Sequence, residues 1–192
     1  IAVISYTLFG VFLAVTWTDV VQAILMMLAL VIVPYVVISG TSDFSGELAD
    51  INPRMLDWFV SNDGTPLSSL ALISLLGWGL GYFGQPHILA RFKALRSADE
   101  VPTAATVAIA WSMLVCTCAV LVGMSGAIYL PDPLADSEKV FMVLVELVFN
   151  PWIAGVLLAA ILAAIMSTVD SQLLVCSSAL AEDVIDNFSG RD

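Results

Sequence analysis

The sequence predicts an all-α membrane protein, and three observations lead there. Apolar residues make up 60% of the 192-residue chain and charged residues only 12%, against about 45–50% and about 25% in ordinary soluble domains. Four stretches, 16–39, 67–91, 103–130 and 151–182, each hold the run of about 20 apolar residues that a spanning helix requires. The second of them contains Gly77-Trp78-Gly79-Leu80-Gly81-Tyr82-Phe83-Gly84-Gln85-Pro86-His87, four glycines and a proline inside an apolar segment. A helix loses about 1 kcal/mol to each interior glycine and about 3 to a proline. Within lipid, backbone released from the helix ladder is tolerated only where it is buried in protein or lines a cavity.

Taken in order, residues 1–10 read as the tail of an earlier span, so the chain is expected to be an internal part of a longer protein. The span 16–39 follows. The connection 41–66 is polar, with Asp43, Glu47, Asp50, Asp57 and Asp63 against Arg54. The span 67–91 leads into a short connection, 92–102. Span 103–130 is followed by 131–150, which carries Asp132, Asp136, Glu138 and Glu146 against Lys139 and has enough apolar residues over 137–149 for a short helix on the membrane surface. The last span, 151–182, is longer than a bilayer needs and is expected to tilt, break or protrude.

Arg91, Lys93 and Arg96 are half of the six basic residues. The positive-inside rule therefore places 92–102 in the cytoplasm, and alternation puts 41–66 and 131–150 outside. The net charge of −11 comes from acids in the connections, and no basic patch suggests a nucleic-acid partner. Cys116, Cys118 and Cys176 all lie in apolar runs, and an odd count there argues for buried thiols rather than a disulfide framework or a zinc site. His87 is the only histidine.

Several residues are candidates for chemistry. Gly79-Leu80-Gly81-Tyr82-Phe83-Gly84 matches the form of a dinucleotide fingerprint, but it lies in a membrane span with neither the strand nor the helix start that the motif needs. Gly77 and Gly81 also form a helix-packing G-x-x-x-G, so the glycines either line a cavity or let helices pack closely. Trp78, Tyr82 and Pro86 recur every fourth residue and share one stripe of a helix. Two aromatics with polar handles suit either an amphipathic small-molecule pocket or an interfacial aromatic belt, and their place near the middle of the span 67–91 favours the pocket. Ser167 and Thr168, adjacent and deep in the last span, either offer oxygens to a small hard cation or bond back to a carbonyl one turn earlier. Asp170 is an ionisable group at membrane depth, itself a functional signal. Asp19 reads either as a helix N-cap or as an ion-path carboxylate, and Arg91 either as a cytoplasmic anchor or as a functional cation. No catalytic constellation is present, so no enzymatic activity is expected.

Gly77 to Phe92, together with Ala160-Ile161-Leu162-Ala163-Ala164-Ile165-Met166-Ser167-Thr168, Ser171-Gln172-Leu173-Leu174-Val175-Cys176-Ser177-Ser178 and Ala14-Val15-Thr16-Trp17-Thr18-Asp19, resembles the corresponding helices of the solute:sodium symporter family. That resemblance runs through nearly all of the chain. It implies a segment of a LeuT-type inverted-repeat transporter bundle, in which a broken helix binds substrate near the midplane. It further implies sodium-coupled symport of L-proline across the bacterial inner membrane, with Na⁺ as coupling ion, no organic cofactor, and the lipid bilayer and the remaining helices of the full-length chain as partners. By the same resemblance, Trp78, Tyr82 and Pro86 contribute to the proline site. Ala164, Ser167 and Thr168 supply part of the sodium site, and Asp19 and Arg91 take part in coupling. Asp170 maps to no family role. Another amino acid or a small carboxylate such as pantothenate is an alternative solute, and the membrane sensor domain of a symporter-linked histidine kinase is an alternative class.

Overall fold

The computed structural model describes residues 2–61, 65–82, 84–130 and 134–181, with side chains from residue 15 onward except that of Trp78. Residues 1 and 182, at the outer edges of the expected 1–10 and 151–182 stretches, lie outside the described residues. Seven α-helices are described: α1 (Ala2–Gly40), α2 (Phe44–Ile51), α3 (Ser69–Tyr82), α4 (Pro86–Lys93), α5 (Val101–Tyr129), α6 (Val140–Val148) and α7 (Pro151–Ala179). Among the described residues three helical segments are long and apolar enough to cross a membrane: Val15–Gly40, Ala98–Tyr129 and Pro151–Ala179.

Two expectations about the spans are corrected. Residues 2–10 do not end a separate span; from Ala2 the helix runs unbroken through 16–39. Gly10 interrupts the apolar run only by a glycine, whose cost of about 1 kcal/mol does not stop a long helix. The 67–91 stretch, in contrast, is two helices. The break falls at Gly84 and Gln85, after the glycines at 77, 79 and 81, which are all helical. Gln85 is extended (φ −74°, ψ 122°) and Pro86 opens α4. A residue before proline is pushed out of the α region, and proline at the first helical position gives up an N–H that had no partner there anyway. The break coincides with the Gly84-Gln85-Pro86 step rather than with the earlier glycines of the run.

The packed core joins α1, α5, α6 and α7. Ala29, Val33 and Val37 recur every fourth residue along α1 and meet Ala154, Leu157 and Ala160 of α7, with Val122 of α5 and Leu144 and Val145 of α6 completing the cluster. Ala29 on one side and Ala154 and Ala160 on the other are small residues of the kind enriched where helices pack in lipid. The helix expected on the membrane surface within 137–149 is α6, and it inserts Leu144 and Val145 fully into that core. A proline inside α1, Pro34, is buried there.

Helix α2 arises in a connection that gave no helical pattern. Its start is set by Asp43, whose side chain accepts from the Gly46 N–H at 3.0 Å. Asn150 does the same for α7, accepting from the Ile153 N–H at 3.1 Å, with Pro151 next in line. The outward side of α3 is strongly apolar: Leu70, Leu76 and Leu80 are each 76% exposed. Helix α4, by contrast, packs on α7.

Candidate functional site

Three helices bring their polar residues to one junction. Asp19 sits well inside α1, so the N-cap reading of this residue is overturned; an interior carboxylate has no free helix N–H groups to cap. Arg91 lies in the last turn of α4, where a cation complements the helix dipole. Because α4 restarts at Pro86 and packs on α7, Arg91 is carried across to both neighbours. Its Nη2 donates to Asp19 Oδ2 at 2.6 Å and to Ser171 Oγ, on α7, at 2.6 Å. Charge-assisted bonds of this kind are roughly twice as strong as neutral ones. The Asp19 side chain is 16% exposed and that of Arg91 51%.

The surroundings are rich in acceptors. Asp19 Oδ1 and Gln22 Oε1, one turn apart on α1, are both buried without a hydrogen-bond donor. Asp170, the residue before Ser171 on α7, is fully buried. A cleft of about 430 Å³ opens beside the pair, lined by Thr16, Asp19, Val20 and Ala23 on one side and by Arg91, Ala94 and Leu95 on the other. Among the described residues no group of three or more His, Cys, Asp or Glu side chains could hold a metal ion, so any cation here meets a mixed set of oxygens.

Farther along α7, the Ser167 hydroxyl donates to the Ala164 carbonyl at 3.0 Å and the Thr168 hydroxyl to the same carbonyl at 3.2 Å. Helix geometry alone gathers these three oxygens, because residues three and four apart face each other. This is the backbone bonding common for membrane hydroxyls; it is also a donor set of the type a hard cation accepts. The last hydroxyl of the series, Ser171, donates to the Ser167 carbonyl at 2.6 Å.

The proposed solute residues are placed differently. Tyr82, at the end of α3, is 47% exposed, and Pro86 is exposed at the start of α4. Neither is among the residues that line the cleft. The Trp78 side chain lies outside the described residues. Gly77, Gly79 and Gly81 have open space where a Cβ would stand, so the close-packing reading of these glycines finds no partner among the described residues.

Reading the sequence missed Ser171 and left Asp170 open. A signal was available: Ser171 follows Ser167 by one helical turn and shares its face. The pairing of Asp19 with Arg91 had no local signal, since it spans 72 positions.

Helices long and apolar enough to cross a membrane, joined by a charged, hydrogen-bonded junction, define a polytopic α-helical membrane protein. The chain belongs to the sodium:solute symporter family, whose model matches residues 1–192. It is 49% identical to the sodium/proline symporter of Salmonella typhimurium and 47% identical to that of Escherichia coli, each match covering 97% of this chain and 38% of the relative. It is also 47% identical to the high-affinity proline transporter PutP of Bacillus subtilis, over 98% of this chain and 40% of that protein. The chain thus spans about two fifths of the length of these curated relatives. No solved structure matches it.

Proposed function

We propose that the full-length protein to which this chain belongs is a sodium-coupled L-proline symporter of the bacterial inner membrane. The observation that carries this reading is the likeness, along almost the whole chain, to proteins named as sodium/proline symporters. The geometry supports it. The Ala164 carbonyl and the Ser167 and Thr168 hydroxyls converge and fit Na⁺, which takes neutral oxygens readily and would compete for those now bonded to one another. Trp78, Tyr82 and Pro86 would meet proline from the α3–α4 break. A broken helix is the substrate-binding device of LeuT-type bundles, and the break at Gly84–Gln85 is in keeping with that architecture. The connection 92–102 is cytoplasmic in this reading, and 41–66 and 131–150 face outward.

Sodium and proline are both cargo, and no bond is made or broken. Coupling requires only that each bind one conformation more tightly than the other. Asp19 and Arg91 suit that task because they join α1 to α4 by a contact that a moving helix can make or release. The test is proline uptake by the full-length protein in proteoliposomes. Uptake should collapse when Na⁺ is replaced, and Ser167→Ala and Thr168→Ala should each raise the sodium concentration required. Uptake indifferent to Na⁺ defeats the coupling; unchanged sodium dependence in both variants leaves those hydroxyls with a backbone role alone.

A further inference from the structure

We infer that Ser171 is a positioning residue that ties the proposed sodium oxygens to the Asp19–Arg91 pair, so that the state of one is felt at the other. This rests on the sodium-coupled reading above. The hydroxyls of Thr106, Thr117 and Ser125 bond back to a carbonyl of their own helix, and Ser171 does so too, to Ser167 at 2.6 Å. Ser171 differs in a second bond, because its Oγ also accepts from Arg91 Nη2 at 2.6 Å, from another helix. A serine hydroxyl has one proton and two lone pairs. The Asp19 carboxylate is a second acceptor within reach of that proton; with the proton on the Ser167 carbonyl, the lone pairs are left for the guanidinium. The residue is 5% exposed, so water offers little substitute.

A continuous line of bonds results. Arg91 donates both to Asp19 and to Ser171, Ser171 donates to the Ser167 carbonyl, and the Ser167 hydroxyl donates to the Ala164 carbonyl. Serially bonded groups polarise one another in a low-dielectric interior. Ser167 is both a proposed sodium residue, through its hydroxyl, and the acceptor of the Ser171 proton, through its carbonyl. A shift of Ser167 toward a cation therefore moves the anchor of Ser171, and with it one of the two acceptors that orient Arg91. Arg91 is half exposed, so without the Ser171 oxygen its guanidinium gains freedom to leave Asp19.

The test compares Ser171→Thr with Ser171→Val in the full-length protein. These side chains have the same shape and differ in the oxygen. Two readouts are taken: the sodium dependence of the thermal unfolding midpoint of purified protein, which needs no transport, and the sodium and proline dependence of uptake. Valine should raise the sodium concentration needed for half-maximal stabilisation and half-maximal uptake by about tenfold, the scale of one hydrogen bond to a charged donor. Proline KM at saturating sodium should stay within about twofold, and threonine should restore the wild-type sodium titration. If valine does not reach the membrane, Ser171→Ala is read in the same way. A wild-type sodium titration in the valine or alanine variant overturns the inference, as does an equal shift in threonine and valine, which would make the effect one of packing. A wild-type protein that shows no sodium response defeats the symport reading itself, and this inference with it.

Discussion

Arg91 Nη2 and Asp19 Oδ2 stand 2.6 Å apart, joining α4 to α1 across 72 positions of sequence. The same nitrogen reaches Ser171 on α7, so one side chain holds three helices. The break before Pro86 frees α4 to make this contact, while α3 keeps a largely exposed apolar surface. An ion pair with one partner 16% and the other 51% exposed lies between the surface and buried limits. Making or breaking it carries a moderate energy.

A double-mutant cycle measures that energy. Asp19→Asn and Arg91→Gln, alone and together, should show a coupling of about 1 kcal/mol, between the ~0.2–1 of exposed pairs and the larger cost of splitting a buried one. The readout is the unfolding free energy of the full-length protein in detergent. Effects that add to within about 0.3 kcal/mol would show that the pair is idle.

How much of this was legible beforehand depended on the range of the signal. Spans of α5 and α7 follow from apolar length, a local property that the bilayer thickness dictates. The gathering of Ala164, Ser167 and Thr168 follows from helix periodicity alone. The join of residues 2–10 to 16–39 did not show, because a single glycine in an apolar run looks the same whether it ends a helix or not. Helix α2 was hidden because its hydrophobic content is small and its start rests on one Asp43 cap. The Asp19–Arg91 contact is tertiary, and each residue alone admitted a local explanation. The location of the break was readable from Gln85-Pro86, but the denser glycine signal beside it drew the attention.

The glycines divide into two classes that mutation should separate. A methyl at Gly126 of α5 would collide with Val140 Cγ2 of α6, and valine, branched at Cβ, has little rotameric freedom to yield. Gly126→Ala should therefore destabilise by about 1–3 kcal/mol, and Val140→Ala should recover most of the loss. At Gly77, Gly79 and Gly81 a methyl meets nothing among the described residues. Alanine there should leave stability unchanged or raise it by up to about 1 kcal/mol through helix propensity, while proline uptake falls if that face meets the solute. Unfolding midpoints and uptake, measured side by side, distinguish the two classes; a stability loss at Gly81 equal to that at Gly126 would contradict the assignment.

Asp43→Ala should loosen α2 without unfolding the bundle. Asp43 Oδ1 accepts from the Gly46 N–H at 3.0 Å and the Ser45 hydroxyl at 3.1 Å, and losing an aspartate cap costs about 1 kcal/mol. Amide hydrogen exchange across 44–48 should quicken about fivefold, with Asp43→Asn close to wild type because asparagine caps as well. Unchanged exchange in the alanine variant would mean that packing of Leu48, not the cap, holds the helix.

Pro86→Ala tests whether the α3–α4 break is set by proline and whether it matters. At present Gln85 N–H bonds to the Tyr82 carbonyl at 3.3 Å and Gly84 N–H to that of Gly81 at 3.3 Å, the tight turns that end α3. Alanine at position 86 supplies an N–H that can reach the Tyr82 carbonyl, and it lifts the restriction that keeps Gln85 extended. The two helices should then tend to merge, which rotates Arg91 away from Asp19 and Ser171. Amide exchange over 84–88 should slow, the Asp19–Arg91 coupling from the double-mutant cycle should vanish, and sodium-dependent proline uptake should fall by about tenfold or more, the equivalent of 1.4 kcal/mol. Slowed exchange with normal uptake would show that the break is dispensable. Unaltered exchange with lost uptake would instead assign Pro86 a direct contact with the solute, and the glycines, not the proline, would then hold the break open.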